Sequence, residues 1–258
     1  MAGPTHVIVL AAGKGSRLGA LGARTPKWLL RVGEATIADR QLEAIAAARE
    51  AQTSIASVRV VCGHAATEID SYLEHRPSDG VSALFNPDYA RCNNWYSVLI
   101  ALRELDPAGD ARVAIVNGDL FARPAWLARF LADAAITEAE SLVGIDLERK
   151  LTEESMKVSL DPGPPPLVRA IGKVGVEDAA GEYVGLLMAR GAVLEAFRRR
   201  LESFVGRAES VDEWYERALG LSAGAGVPWT AWATPDSAWV EIDDDSDYEA
   251  AVRLAASP

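Results

Sequence analysis

The sequence predicts an α/β protein: a mostly parallel central sheet with helices on both faces, followed by a smaller mixed α/β region. Three observations carry that expectation. Apolar, β-branched runs alternate with helix-patterned segments through the first half, which implies right-handed crossovers between parallel strands. The second half shifts to short strand-like pieces around the proline-rich turn 163–166. Of the 258 residues 49% are hydrophobic, enough for one large core, and no internal repeat, low-complexity tract or linker divides the chain.

Residues 6–10 read as the first strand, 58–62 as the second, 81–85 as the third and 111–116 as the fourth. Between them, 37–51, 66–74 and 94–105 place apolar residues at helical spacing. Further along, 142–145, 157–160, 167–171 and 183–188 are strand-like, and 192–205 and 211–219 are helical. Residues 227–233 and 239–242 read as strands, and 247–255 as a closing helix. Ligands of such sheets bind outside the carboxyl ends of the strands, so those loops are searched first.

Several classes of function are excluded early. No apolar stretch approaches the ~18 residues of a membrane span. The start, through His6, lacks the basic-then-apolar profile of a signal peptide, so a cytoplasmic protein is expected. Cys62 and Cys92 have neither metal nor redox spacing and are expected reduced and buried. A net charge of −11 argues against a nucleic-acid surface, though not against one nucleotide held by local cations and a divalent metal.

The strongest local signal follows the first strand: Leu10, Ala11, Ala12, Gly13, Lys14, Gly15, Ser16, Arg17, Leu18, Gly19. Gly13 and Gly15 let backbone N–H groups approach a phosphate, while Lys14 and Arg17 supply cations for the outer phosphates of an NTP. Downstream, Thr25-Pro26-Lys27 stiffens the chain and offers Lys27 to the reacting phosphate. The spacing is not that of a P-loop, and Leu18 stands where a dinucleotide fingerprint needs glycine or alanine. The segment Leu-Ala-Ala-Gly-x-Gly-x-Arg followed by Pro-Lys resembles the nucleotidyltransferases related to sugar-phosphate pyrophosphorylases. That resemblance implies a Rossmann-like sheet with an acceptor-binding lobe. The single domain, 1–258, then divides into a nucleotide-binding half (about 1–140), an acceptor-side region (about 141–240), and a metal residue with the closing helix (241–258).

Asn117-Gly118-Asp119 places Asp119 at the carboxyl end of a buried strand, where a carboxylate suits Mg²⁺. In the late strand, Glu241 and Asp243 alternate onto one face, so Asp119, Glu241 and Asp243 form a candidate metal set. The family resemblance supports the pairing of Asp119 with Asp243. Asp244, Asp245 and Asp247 read as a solvated helix start favoured by the helix dipole.

Asn93-Asn94-Trp95-Tyr96-Ser97 opens a helix, where an N-cap accounts for one asparagine. Together with Asn86-Pro87, the run resembles the subgroup of phosphocholine and 2-aminoethylphosphonate cytidylyltransferases. By that resemblance Asn93 and Ser97 lie beside the nucleotide, Asn94 beside the acceptor, and Gly63-His64 near the base. The stretches 154–158, 171–173 and 181–185 also follow the subgroup's order, which makes Lys157, Lys173 and Glu182 acceptor-side candidates. Trp95, Tyr96, Trp126, Trp214 and Tyr215 are candidates for an aromatic wall around an ammonium group, with Glu213 and Glu216 to complement its charge. Trp214 and Tyr215 equally suit a core anchor.

The expected activity is transfer of CMP from CTP to a small phosphate or phosphonate, with Mg²⁺ and with Lys27, Arg17 and Asp119 as catalytic residues. A sugar-1-phosphate nucleotidyltransferase and an idle nucleotide-sensing module are the alternatives. A glycosyltransferase would lack the glycine-rich loop. No nucleic acid or membrane is expected as partner, and the chain is expected to be a monomer or homodimer.

Overall fold

A computed structural model describes residues 3–18, 25–51, 53–76, 80–107 and 109–256. Gly19, the end of the glycine-rich segment, lies outside the described residues, as does Met1. The core is a nine-stranded mixed sheet. One half is wholly parallel, in the order β6 (Arg112–Asn117), β1 (Thr5–Ala11), β4 (Ile55–Cys62), β5 (Val81–Phe85). The other half is joined through β11 (Gly181–Arg190), antiparallel to β6, to β8 (Ser141–Asp146) and to β9 (Lys157–Asp161). Two more strands complete it: β10 (Leu167–Gly172) is antiparallel to β9, and β12 (Ala231–Ala233) is parallel to β8.

Alternation along β1 feeds two cores. Val7, Val9 and Ala11 point to a cluster with α1 (Ile37–Glu50), α4 (Pro124–Ile136) and α7 (Asp245–Ala256). Ile8 points to the opposite cluster, with α3 (Asn94–Leu105), α5 (Gly191–Glu202) and α6 (Tyr215–Ala223). A further helix, α2 (Ala66–His75), joins β4 to β5. Helices on both faces are therefore present, as the sequence predicts. Among the described residues, no helix is long and apolar enough to cross a membrane.

Most predicted elements are present, and the differences have local causes. Helix α4 stands where the sequence pattern marks no element, and it opens on Pro124. At the first helical position its missing N–H costs nothing and its fixed φ suits the helix. The short strands β2 (Arg31–Val32), β3 (Ala35–Thr36) and β7 (Leu120–Ala122) are too brief to show a period. The helix expected from 211 begins at Tyr215, and the strand expected over 239–242 ends at Glu241 as β13 (Trp239–Glu241), paired with β7. Asp243 therefore lies beyond the strand. Cys62 is buried, whereas Cys92 is only half-buried, which corrects the expectation for the second cysteine.

Candidate active site

A cleft of about 680 Å³ opens at the carboxyl ends of β1 and β6, between the glycine-rich loop and the antiparallel lobe. Gly15 turns the loop with φ +59°, and a Cβ on Gly13 would meet nothing within 4 Å, so the space in front of the loop is open. Gly118 is required for the opposite reason. A Cβ there would stand 2.4 Å from the Leu10 carbonyl oxygen, and its N–H donates to that oxygen at 3.1 Å. The close approach turns Asp119 back toward the loop.

Lys27 opens a short 3₁₀ turn, Lys27–Leu29, anchored by the fully buried Trp28. Its Nζ lies 3.3 Å from Asp119 Oδ2 and also donates to Asp243 Oδ1. Arg17 Nη2 lies 2.8 Å from Asp243 Oδ2. Carboxylate oxygens of Asp119, Glu241 and Asp243 all come within 4.8 Å of one another, a set of hard oxygen donors that fits a divalent cation. Strand alternation does not bring Glu241 and Asp243 together, as the sequence suggests. Instead Asp247 Oδ2 accepts from the N–H groups of Asp243 and Asp244, and Asp244 caps the first turn of α7 through Asp247.

The charges lean on each other. Burial opposes the charge on Lys27, yet Asp119, Asp243 and Glu241 hold its pKa above the ordinary value. Burial pushes Asp243 up, but Lys27 and Arg17 outweigh it and hold the carboxyl low. Glu241 goes the other way: although it opens to the cleft, its withdrawal from bulk water between the cleft walls, then Asp119, Asp243 and Glu216, keep it well above the usual carboxylate range.

Behind the site, one buried residue joins two of its parts. Gln41 on α1 accepts from Trp28 Nε1 at 2.9 Å and donates to the carbonyls of Asn117 and Leu120, each at 2.9 Å. The amide thereby ties the turn carrying Lys27 to the loop carrying Asp119. From the opposite side, Tyr215 Oη donates to Asn117 Oδ1 at 2.9 Å and pairs with Tyr183 Oη at 2.7 Å.

Of the other predicted residues, Leu10, Ala11, Ala12, Gly13, Lys14, Gly15, Asn93, Asn94, Ser97, Lys173, Glu182 and Trp214 also line the cleft. For Ser16 only the backbone, in the 3₁₀ turn Ser16–Leu18, is described. Asn93 caps α3 through the Asn94 N–H, and Asn94 Oδ1 accepts from the Tyr215 N–H at the start of α6. Four candidates stand outside the lining. Gly63 packs against Tyr89 and the Ala12 carbonyl, and His64 donates its backbone N–H to that carbonyl at 3.2 Å, so both buttress the loop from behind. Lys157 spends its ammonium on the carbonyls of Glu153, Ser155 and Lys173. Tyr215 is fully buried.

The proposed aromatic wall also changes. Trp95 and Trp126 are core residues, Trp95 against Tyr96 and Phe204, Trp126 against Trp232. Glu213 pairs with Arg217 away from the cleft lining. The cleft gains residues that the sequence pattern did not single out: Tyr89, Arg149, Lys150, Glu154 and Trp239. The buried Asp146 places Arg149. It accepts from the N–H groups of Glu148 and Arg149 at 2.9 Å and from Trp239 Nε1 at 2.8 Å, and the Arg149 guanidinium lies 4.4 Å from the Trp239 ring centroid. An acid at the end of a strand, Asp146, was the available signal.

A loop open to phosphate, facing cations and clustered carboxylates at the sheet's carboxyl edge, defines a nucleotidyltransferase. Residues 7–213 match the MobA-like NTP transferase domain, and the chain belongs to that family. The CMP-5'-(3-aminopropyl)phosphonate synthase of Streptomyces rubellomurinus is 30% identical over 259 residues, 96% of this chain and 38% of that protein. The choline-phosphate cytidylyltransferase of Streptococcus pneumoniae is 33% identical over 98 residues, 38% of this chain and 39% of that protein. The matched stretches thus span about two fifths of either relative. Among solved structures, the CTP:phosphocholine cytidylyltransferase of S. pneumoniae superposes with a TM-score of 0.74 at 20% identity, covering 98% of this chain and 99% of that one. The inositol-1-phosphate CTP transferase of T. maritima also gives 0.74, at 16% identity over 100% and 99%. At these identities the superpositions establish the fold.

Replacing Gln41 with leucine leaves two carbonyls and an indole N–H unpaired in the interior. Urea denaturation of Gln41→Leu is expected to show a loss of about 3 kcal/mol, with turnover down about ten-fold or more. A loss under about 1 kcal/mol would show that Gln41 is not the clamp.

Burial, followed by the nearby Asp119, pushes Glu216 up to about 7, against its own backbone N–H and the Asn94 side chain. Between the ordinary carboxyl range and that value the folded protein keeps a proton that the unfolded chain has released. This group's contribution to stability therefore falls as pH rises through the window. Glu216→Gln removes that loss, so its melting temperature relative to wild type should climb between about pH 5 and about pH 8. A flat or falling difference would rule out the raised value.

Proposed function

We propose that this nucleotidyltransferase is a Mg²⁺-dependent cytidylyltransferase. It would move CMP from CTP to a small phosphate monoester or phosphonate, of the phosphocholine or aminoalkyl phosphonate type, and release pyrophosphate. The observation that carries the chemistry is the convergence of Lys27 and Arg17 with Asp119, Glu241 and Asp243 in front of the open glycine-rich loop. The choice of CTP and of the acceptor class is supported by similarity along nearly the whole chain to a CMP-5'-(3-aminopropyl)phosphonate synthase, and over a shorter stretch to a choline-phosphate cytidylyltransferase.

The acceptor oxygen attacks the α-phosphorus of CTP, a new P–O bond forms, and the bond to the pyrophosphate oxygen breaks in line. A phosphate or phosphonate oxygen is already anionic near neutral pH, so no dedicated base is needed. Catalysis then comes from positioning and charge neutralisation. Lys27 faces the α-phosphate, while Lys14 and Arg17 hold the leaving pyrophosphate. Asp119, Glu241 and Asp243 would hold the metal, which would supply charge neutralisation for the phosphates. Asn94, Lys173, Glu182 and Trp214 form the acceptor wall; Lys157 and Tyr215 support it from behind.

Lys27→Ala and Asp119→Ala are each expected to lower kcat by about two orders of magnitude or more, with an unchanged circular dichroism spectrum. Near-normal turnover in either variant removes that residue from the catalytic set. With 2-aminoethylphosphonate and phosphocholine as acceptors, pyrophosphate release should require CTP, stop on chelation with EDTA and return with Mg²⁺. Equal rates with UTP, dTTP and GTP would overturn the cytidylyl assignment.

A further inference from the structure

We infer that Glu216 seats the cationic end of the acceptor, and that the cleft selects a primary ammonium over a quaternary one; the inference rests on the cytidylyl-transfer reading above. Glu216 sits in the first turn of α6, borders the cleft and is only 5% exposed. Its own backbone N–H and the Asn94 side chain engage the carboxyl. Its Oε2, however, has no hydrogen-bond partner among the described residues. A buried carboxylate oxygen without a donor is costly, and a ligand that brings an N–H repays that cost. A primary ammonium carries three such donors and a positive charge; a trimethylammonium carries none.

A quaternary group is held instead by open aromatic faces. The two indoles of this cleft that sit near charged groups already carry the chain's own cations. Lys173 Nζ stands 5.5 Å from the Trp214 ring centroid, and the Arg149 guanidinium 4.4 Å from that of Trp239. Trp28 and Tyr183 also border the cleft, but they are buried in packing. Tyr89 lies against Gly63, beside the glycine-rich loop. What remains open to an acceptor is therefore a hydrogen-bond acceptor, not an aromatic cage.

The test compares three phosphonates with CTP: 2-aminoethylphosphonate, its N-trimethyl derivative, and ethylphosphonate, which has no nitrogen. The amine should exceed both others about ten-fold or more in kcat/KM. In Glu216→Gln, an isosteric change whose folding is checked by thermal melting, the amine's advantage over ethylphosphonate should shrink about ten-fold. The loss should fall on the acceptor KM, with the KM for CTP held. Turnover of the trimethyl compound equal to that of the amine overturns the inference, and so does an equal loss on the amine and on ethylphosphonate in the variant. Pyrophosphate release from sugar 1-phosphates and from none of the phosphonates would instead overturn the cytidylyl reading, and this one with it.

Discussion

Gln41 spends its whole side-chain amide inside the protein. Its oxygen takes the Trp28 indole N–H, and its nitrogen serves the carbonyls on either side of Gly118-Asp119. Trp28 in turn fixes the turn that begins with Lys27. The separation of the lysine from its carboxylate is thus set by three hydrogen bonds, two of them fully buried and none involving a charged group. Such bonds are insensitive to salt and cannot be exchanged for water without opening the core. The reactive charges can then sit in solvent contact and still keep their geometry.

That geometry bears on how an acidic protein would accept the triphosphate of the proposed reaction. The cations facing the loop are few, and Lys27 and Arg17 are engaged by Asp243. The carboxylates keep the lysine charged despite its burial, and the cations keep Asp243 ionised. A triphosphate would compete with these acids for the same cations. A divalent ion held by the three acids would supply the charge that the cations withdraw from them. The net charge of the chain says little about this balance; the local pairing decides it.

Much of this was legible in the sequence. The parallel strands, the glycine-rich loop and Lys27 follow from periodicity and spacing, and Asp119 from its place at a strand end; strand alternation suggests Glu241 and Asp243, although Asp243 lies beyond the strand. Gln41 was hidden because its signal is a polar residue on the buried stripe of α1, where the pattern from Ile37 to Ala44 and Ile45 leads the eye to an apolar face. Arg149 was hidden because its placement depends on Asp146 and Trp239, which are 93 residues apart. Lysines carry the same ambiguity. Lys157 and Lys173 are equivalent by spacing, yet only the fold shows that one ammonium is consumed by backbone carbonyls while the other faces the cleft.

The chain of hydroxyls from Tyr183 through Tyr215 to Asn117 has a consequence for how such a cleft can diversify. Tyr183 belongs to the antiparallel lobe, Tyr215 to the helix that carries Glu216, and Asn117 to the strand that ends at the loop of Asp119. Both tyrosine rings are buried, so neither can shift without a neighbour shifting too. A substitution that reshapes the acceptor wall through α6 would therefore be transmitted to the loop of Asp119. Under the proposed activity, acceptor choice and catalytic rate would be mechanically linked. Divergence toward new acceptors is cheapest through side chains outside that chain, such as Trp214 and Lys173, which reach the cleft without belonging to it.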